Sequence, residues 1–183
     1  LMKSEPIVER VGLSSSVNTG FGEYGVVLIN SGSTMYFTSR RNNTTGGGLN
    51  PDDQQYYEDI YKALLNESTG DWEDVTNELG RLNTDGFDAL NYMSDDGSYG
   101  VMTLNTTTLD IKKTTRGSDL CEIKLNSKGL YNKPKPIVNK TINTSFFEGA
   151  ATLTADGNTM YFVTDRKGDK SSTDIYVVQK VGK

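Results

Sequence analysis

The chain writes nearly the same sentence twice. "SGSTMYFTSRR" (31–41) returns as "DGNTMYFVTDR" (156–166), with Gly32 on Gly157 and Arg41 on Arg166 at a constant offset of 125 residues. Two flanking blocks repeat in the same order. "VNTGFGEYG" (17–25) returns as "INTSFFEGA" (142–150) at the same offset, and "EDIYKA" (58–63) as "TDIYVV" (173–178) at 115. The shorter offset reflects a longer loop in the first copy, "NNTTGGGLNPDDQQYY" (42–57). Periodicity on this scale constrains a fold more than any local propensity, because each unit must bury its apolar face against the next.

A third, eroded copy lies between them. "LNTDGFDAL" (82–90) repeats the hydrophobic-Asn-Thr opening, "SDDGSYGVMTL" (94–104) matches "TADGNTMYFVT", and "SDLCEI" (118–123) matches "TDIYVV". The openings fall at Asn18, Asn83 and Asn143, and an acid follows each by five residues: Glu23, Asp88 and Glu148. The connecting segments hold related elements, "PIVERV" (6–11), "DWEDVTNEL" (71–79) and "YNKPKPIVNK" (131–140). We read a single domain over 1–183, built from three repeats of about 60 residues at approximately 6–65, 71–125 and 130–180.

Within a repeat the signals are for strands. "TMYFTS", "NTMYFVT" and "YGVMTL" are short aromatic and β-branched runs, each preceded by a glycine turn. Asp96-Gly97 and Asp156-Gly157 supply the chemistry of a tight hairpin. "DIYVVQK" suits a third strand, and the Trp72 and Tyr131 segments a fourth, outer one, where Pro134 and Pro136 are tolerated. Nineteen glycines against four prolines fit many tight turns. The exception is 50–66: Asn50 as N-cap and Pro51 at the first position suggest a helix. The repeat register instead makes 58–64 a strand and leaves a short helical turn over 51–57. The expected fold class is all-β: four-stranded β-propeller blades, three in this chain, as part of a larger ring of about six.

The Asn-Thr opening, the acid, Asp-Gly-x-x-Met-Tyr-Phe, the Arg and Asp-Ile-Tyr together resemble the TolB-type (WD40-like) β-propeller repeat. The version most similar is the one found beside OmpA-like peptidoglycan-binding domains in envelope proteins of Bacteroidetes-type bacteria. The middle copy departs from the pattern: it lacks Met-Tyr-Phe, and Thr106 stands in place of the Arg, with Arg116 nearby. What the resemblance implies is a periplasmic, outer-membrane-associated module. Its partners would be other envelope proteins or peptidoglycan-linked components.

The repeated residues read as structural. Asp59, Asp119 and Asp174 precede the third strand, and Arg41 and Arg166 follow the second, so an Arg–Asp pair within each blade is expected. Three blades do not close a ring, since propellers have four to eight. Either further blades belong to a longer chain or a second copy completes the circle.

Composition excludes several functions. A net charge of −5 with scattered basic residues argues against a nucleic-acid surface. No run of roughly 18 apolar residues exists to span a membrane, and "LMKSEPIVERVG" has no apolar core of a signal peptide. With no histidine, neither a Ser-His-Asp triad nor an activated Cys121 can be assembled, and Cys121 reads as a buried thiol. "GGG" (46–48) lacks the Lys-Ser/Thr of a phosphate loop, and "DRKGDKSSTD" (165–174) lacks calcium-loop spacing. Carboxylates such as Asp52/Asp53, Asp95/Asp96 and the Glu23, Asp88, Glu148 set read as solvated turn acids. No cofactor, metal or catalytic residue is expected. The leading reading is a non-enzymatic interaction module of the cell envelope. Its rivals are the accessory propeller of a hydrolase or peptidase, and a glycan-binding propeller using Tyr56, Tyr57 and Trp72 as exposed aromatics.

Overall fold

A computed structural model describes residues 9–105, 117–166 and 172–181. Thr106 and Arg116, the middle-repeat positions noted above, lie outside the described residues, as do residues 6–8. The architecture is all-β. The first sheet runs β1 (Glu23–Ile29), β2 (Thr34–Ser39), β3 (Asp59–Asn66) and β4 (Asp71–Thr76). The second runs β5 (Asp88–Met93), β6 (Tyr99–Asn105), β7 (Ser118–Lys124) and the two-residue β8 (Lys135–Pro136). The third holds β9 (Glu148–Leu153), β10 (Thr159–Thr164) and β11 (Asp174–Gln179). Each sheet is an antiparallel meander, and among the described residues none closes on itself.

The two Met-Tyr-Phe segments are central strands. β2 lies between β1 and β3 and β10 between β9 and β11, so both strand edges are hydrogen-bonded. All six residues of β2 are buried, as the aromatic and β-branched composition demands. The "EDIYKAL" segment is a strand in the expected register, with Ser39 opposite Asp59 and Met35 opposite Ala63. The helical turn expected over 51–57 does not form. Gln54 N–H does reach Asn50 O (2.9 Å), but Gln54 is left-handed (φ +57°) and Asn50 N–H bonds Gln55 O (2.7 Å). The chain therefore reverses after a single turn, and Tyr56 bridges back to Leu49.

Trp72 sits in the fourth strand, paired with Leu65. Tyr131 does not: it makes isolated bridges to Gly80 and Leu125, and the outer strand of its sheet is Lys135–Pro136, where Pro136 faces Cys121. Strand pairing thus places 71–76 with the sheet before it and 135–136 likewise, so the first and second sheets each end on a segment that opens the following sequence repeat.

The sheets stack face to face because side chains alternate along each strand. In β6, Met102 joins Ile29, Tyr36, Ile60, Leu90 and Cys121 between the first and second sheets. Its neighbour Val101 points the other way, with Leu120, Ala151, Met160 and Phe162 between the second and third. On its other face the first sheet buries Met35, Phe37 and Tyr61 under Val17, Trp72 and Val75. Each fully buried side chain of this size contributes about 1.5–3 kcal/mol.

Polar ties fix how the sheets meet. Asn83 accepts the Ile60 N–H (2.8 Å) and donates to Ile60 O (3.0 Å) and Asn77 O (3.1 Å). Asn143 does the same to Leu120 (2.9 and 2.8 Å) and Ile137 O (3.0 Å). The Tyr36 hydroxyl meets that of Tyr131 (2.9 Å), which donates to Gly97 O (3.0 Å). Gly80 lies flat on the Tyr131 backbone with φ +83°, where a Cβ would stand 2.8 Å from a carbonyl oxygen.

Asn83→Ala and Asn143→Ala each strip a buried strand of the partner for one N–H and one C=O. Each is expected to lower stability by about 1–3 kcal/mol in urea unfolding. Unchanged midpoints would show that these amides do not join the sheets.

Candidate functional site

The three acids of the repeat are not solvated. Asp88 and Glu148 are fully buried and Glu23 is nearly so, which corrects the expectation for loop carboxylates. Each is held by the threonine four residues before it. Thr84 donates its N–H (2.6 Å) and hydroxyl (2.9 Å) to Asp88, and Thr19 and Thr144 treat Glu23 and Glu148 alike. Ser39 and Thr164, opposite these acids across the sheet, add a hydroxyl each (both 3.1 Å).

The arginines pair with these glutamates rather than with the aspartates. Arg41 Nε lies 3.6 Å from Glu23 and Arg166 Nη2 lies 3.4 Å from Glu148. Both guanidiniums also cap the carbonyl just before the repeat asparagine, Val17 O or Ile142 O (2.6 Å each). Both lie over a pair of rings: Phe37 and Tyr61 at 5.3 and 4.7 Å, Phe162 and Tyr176 at 5.1 Å each. Asp59 is unavailable to Arg41 because the 42–45 loop folds back over it. Its buried carboxylate accepts from Thr44 Oγ1, Thr45 N–H, Thr45 Oγ1 and Asn77 Nδ2 at 2.8–2.9 Å. Asp119 is the half-buried second residue of β7, and Asp174 begins β11 exposed to solvent. The Asn18 side chain donates to Leu13 O (3.2 Å) and its N–H to Ser14 O (2.9 Å), both within its own loop.

The three aromatics expected to face a ligand do not share a surface. Trp72 is half-buried against the Phe37–Tyr61 cluster, on the outer face of the first sheet. Tyr56 and Tyr57 are also half-buried, but in a different cluster that the inserted loop builds with the segments leading into β1 and β5. Phe21 meets Tyr56 edge-on at 5.7 Å, and Phe87 packs on Tyr57 at 5.2 Å. Arg40 ties the loop down: Nη1 pairs with Asp53 (2.8 Å), Nε donates to Tyr56 O (2.7 Å), and the guanidinium lies 5.7 Å from the Phe87 ring centre. Among the described residues its buried Nη2 has no hydrogen-bond partner. The Arg40 contact holds the Asp53 carboxyl below the ordinary range, while burial and a hydrogen bond to Glu58 raise the Tyr24 hydroxyl. Phe21, Phe87 and Arg40 escaped the sequence reading. The available signal was a phenylalanine directly or two residues before each acid.

This loop cluster is the strongest candidate for recognition: aromatic faces, one cation with a free donor, and acids at the rim. A cleft of about 1030 Å³ lies between the second and third sheets, lined by Tyr92, Tyr99, Ile137 and Met160. Its carboxylates are already engaged, Glu122 with Lys124 (2.9 Å) and Asp156 with Thr154 and Asn158. Cys121 is fully buried and burial pushes its thiol up to about 12, so it is not a nucleophile at neutral pH. Among the described residues no group of three His, Cys, Asp or Glu could hold a metal, and no helix is long and apolar enough to cross a membrane.

No protein-family model and no curated protein matches the sequence. Among solved structures, a chain from a study of two prolyl endopeptidases is 13% identical with a TM-score of 0.41. The similarity covers 87% of this chain and 20% of that one, so this chain spans a fifth of that protein's length.

Asp88 stands apart from the two glutamates because no described residue gives it a cation. Burial raises its carboxyl to about 7 against the opposing Thr84 hydrogen bonds, with Asp59 and Glu58 adding to the rise. The folded chain therefore holds this proton more tightly than the unfolded chain. Its contribution to stability is full below the ordinary carboxylate range and is lost as pH climbs from about 4 to about 7, by up to about 4 kcal/mol. Urea midpoints across that window should fall for the native chain and flatten for Asp88→Asn. Parallel pH profiles for the two would remove this assignment.

Proposed function

We propose that the three sheets are consecutive blades of a β-propeller, and that the chain works as a non-enzymatic interaction module of a bacterial cell envelope. The blade reading is supported by the meander order within each sheet and by the asparagine bracket that joins each sheet to the next. The envelope setting, periplasmic and associated with the outer membrane, rests on the resemblance of the Asn-Thr, Asp-Gly-x-x-Met-Tyr-Phe and Asp-Ile-Tyr blocks to TolB-type repeats. A sequence without histidine, a buried thiol and acids bound by their own threonines support a role in binding.

The observation that carries the site is the aromatic and arginine cluster made by the 42–57 insertion, which distinguishes the first sheet from the others. Ring faces with a few hydrogen-bonding groups suit the glycan of the cell wall or components linked to it. Titrating soluble peptidoglycan fragments into isotope-labelled chain should move amide signals at Phe21, Tyr56, Tyr57 and Phe87. Phe21→Ala, at an exposed position, should weaken the binding about tenfold. Absent shifts at millimolar fragment, or shifts confined to the cleft between the second and third sheets, would refute the site.

A further inference from the structure

Arg40 sits in the loop cluster with most of its hydrogen-bonding capacity already assigned. A guanidinium carries donors on three nitrogens in one plane and accepts nothing. Nε donates to Tyr56 O (2.7 Å), Nη1 pairs with Asp53 (2.8 Å), and the backbone N–H bonds Gly22 O (3.1 Å). With its side chain 13% exposed and the Phe87 ring centre 5.7 Å away, the guanidinium is fixed in place. Only the buried Nη2 has no hydrogen-bond partner among the described residues.

The surroundings of Nη2 decide what kind of acceptor suits it. A carboxylate or phosphate gains most from arginine by taking parallel N–H groups from two adjacent nitrogens. Here the other two nitrogens are engaged, so an incoming group meets a donor on one nitrogen alone. Charge points the same way. Asp53 matches the guanidinium, and Glu58, bonded by the Tyr24 hydroxyl, adds a second carboxylate. One cation against two acids leaves the cluster negative, in a chain of net charge −5. A further anion would be repelled, and in a half-buried site that repulsion is little screened. An ammonium cannot accept from Nη2 and would stand against the guanidinium. What fits is a neutral group with a carbonyl for Nη2, an N–H for a rim carboxylate, and an apolar end for the rings of Tyr57 and Phe87, 5.2 Å apart. A methyl-capped secondary amide has all three.

Building on the recognition reading, we infer that this cluster binds its glycan through the acetamido group of an N-acetylated hexosamine, whose carbonyl oxygen accepts from Arg40 Nη2. The acetamido N–H donates to a carboxylate at the rim, and the sugar ring packs on Phe21. Uronic acids are rejected by the two carboxylates, and deacetylated amino sugars by the guanidinium and the lost acceptor. Nη2 is sealed from solvent, so the carbonyl reaches it as a ring of the cluster turns aside. Phe21, exposed and touching Tyr56 only edge-on at 5.7 Å in this cluster, is the least enclosed of those rings.

Three sugar trimers titrated into isotope-labelled native chain test this: N-acetylglucosamine, glucosamine and galacturonic acid. The acetylated trimer should move the amides of Phe21, Tyr57 and Phe87 and bind at least about tenfold more tightly than either of the others. Arg40→Lys would also release Tyr56 O, so the informative variant is Asp53→Asn, at a rim position 38% exposed. Removing that charge should tighten galacturonate binding about tenfold and change binding of the acetylated trimer less than about twofold. Equal binding of the acetylated and free-amine trimers, tighter binding of galacturonate by the native chain, or no gain for galacturonate in Asp53→Asn would overturn the inference. Peptidoglycan fragments that move these amides when the acetylated trimer does not would overturn it too, while leaving the recognition site standing. If neither the trimers nor the fragments move them, the recognition reading fails and this inference falls with it.

Discussion

The outer edges of β3 and β7 face away from the central strands and leave one N–H and one C=O, on Ile60 and on Leu120, to be satisfied beyond the ladder. A primary carboxamide carries an acceptor and donors on one planar group, so Asn83 and Asn143 answer both at once and still reach a third carbonyl. Apolar burial between the sheets is larger in energy but has no direction. The asparagine supplies the direction: it sets which residue of the third strand meets which residue of the next sheet. Once Ile60 lies under Asn83, Leu90 and Met102 are aligned with Tyr36 and Ile29. An aspartate there would lose the donors and bury a charge, and a leucine would strand two backbone groups.

The second constraint is how a buried acid is tolerated at the head of each sheet. Thr19, Thr84 and Thr144 each give an N–H and a hydroxyl, which orients the carboxylate but does not neutralise it. In the first and third sheets a guanidinium does so, itself held over two rings and a carbonyl. That arrangement needs aromatic residues on the second and third strands, and the middle sheet has Met102 and Cys121 where the others have Phe and Tyr. Loss of the rings and loss of the arginine are therefore one change. Asp88 is left as a carboxyl stabilised in its protonated form, and its own N–H bonds Glu58 O at the end of the inserted loop (3.2 Å).

The central and third strands were legible in the sequence because the repeat overrode local propensity, whereas the outer strand expected at Tyr131 forms at Lys135–Pro136 instead. Residues 58–64 look helical in isolation and pair as a strand. The asparagines and acids were legible as positions but not as contacts. Spacing revealed that Thr and acid recur four apart, yet not that a side chain four residues back can seal a carboxylate from water. The arginine partner was misread for a related reason: Ser39 stands opposite both Glu23 and Asp59, so sequence distance could not choose between them. The choice was made by the 42–45 loop, which saturates Asp59 first. Aromatics failed likewise, since Trp72 lies on the outer face of the first sheet whereas Tyr56 belongs to the inserted loop and packs on Phe21.

Features shared by every sheet answer needs shared by every sheet, so the proposed recognition role falls on what one sheet has alone. The inserted loop meets that criterion and is costly to hold, since ordering a residue costs about 1–2 kcal/mol in backbone entropy. The contacts that hold it are correspondingly dense. Thr44, Thr45 and Asn77 converge on Asp59, Arg40 binds both Asp53 and the Tyr56 carbonyl, and Gly46 lies so close to Asp85 that a Cβ would sit 2.6 Å from its carbonyl oxygen. A spacer could remain loose; this loop is fixed from both ends and braced against the second sheet. The result holds Tyr56, Tyr57, Phe21 and Phe87 in one arrangement, the preorganisation that the proposed recognition role calls for. On the proposed reading, Arg40 Nη2, which has no partner among the described residues, would recover from an incoming acceptor the about 1–3 kcal/mol that a buried unsatisfied donor costs.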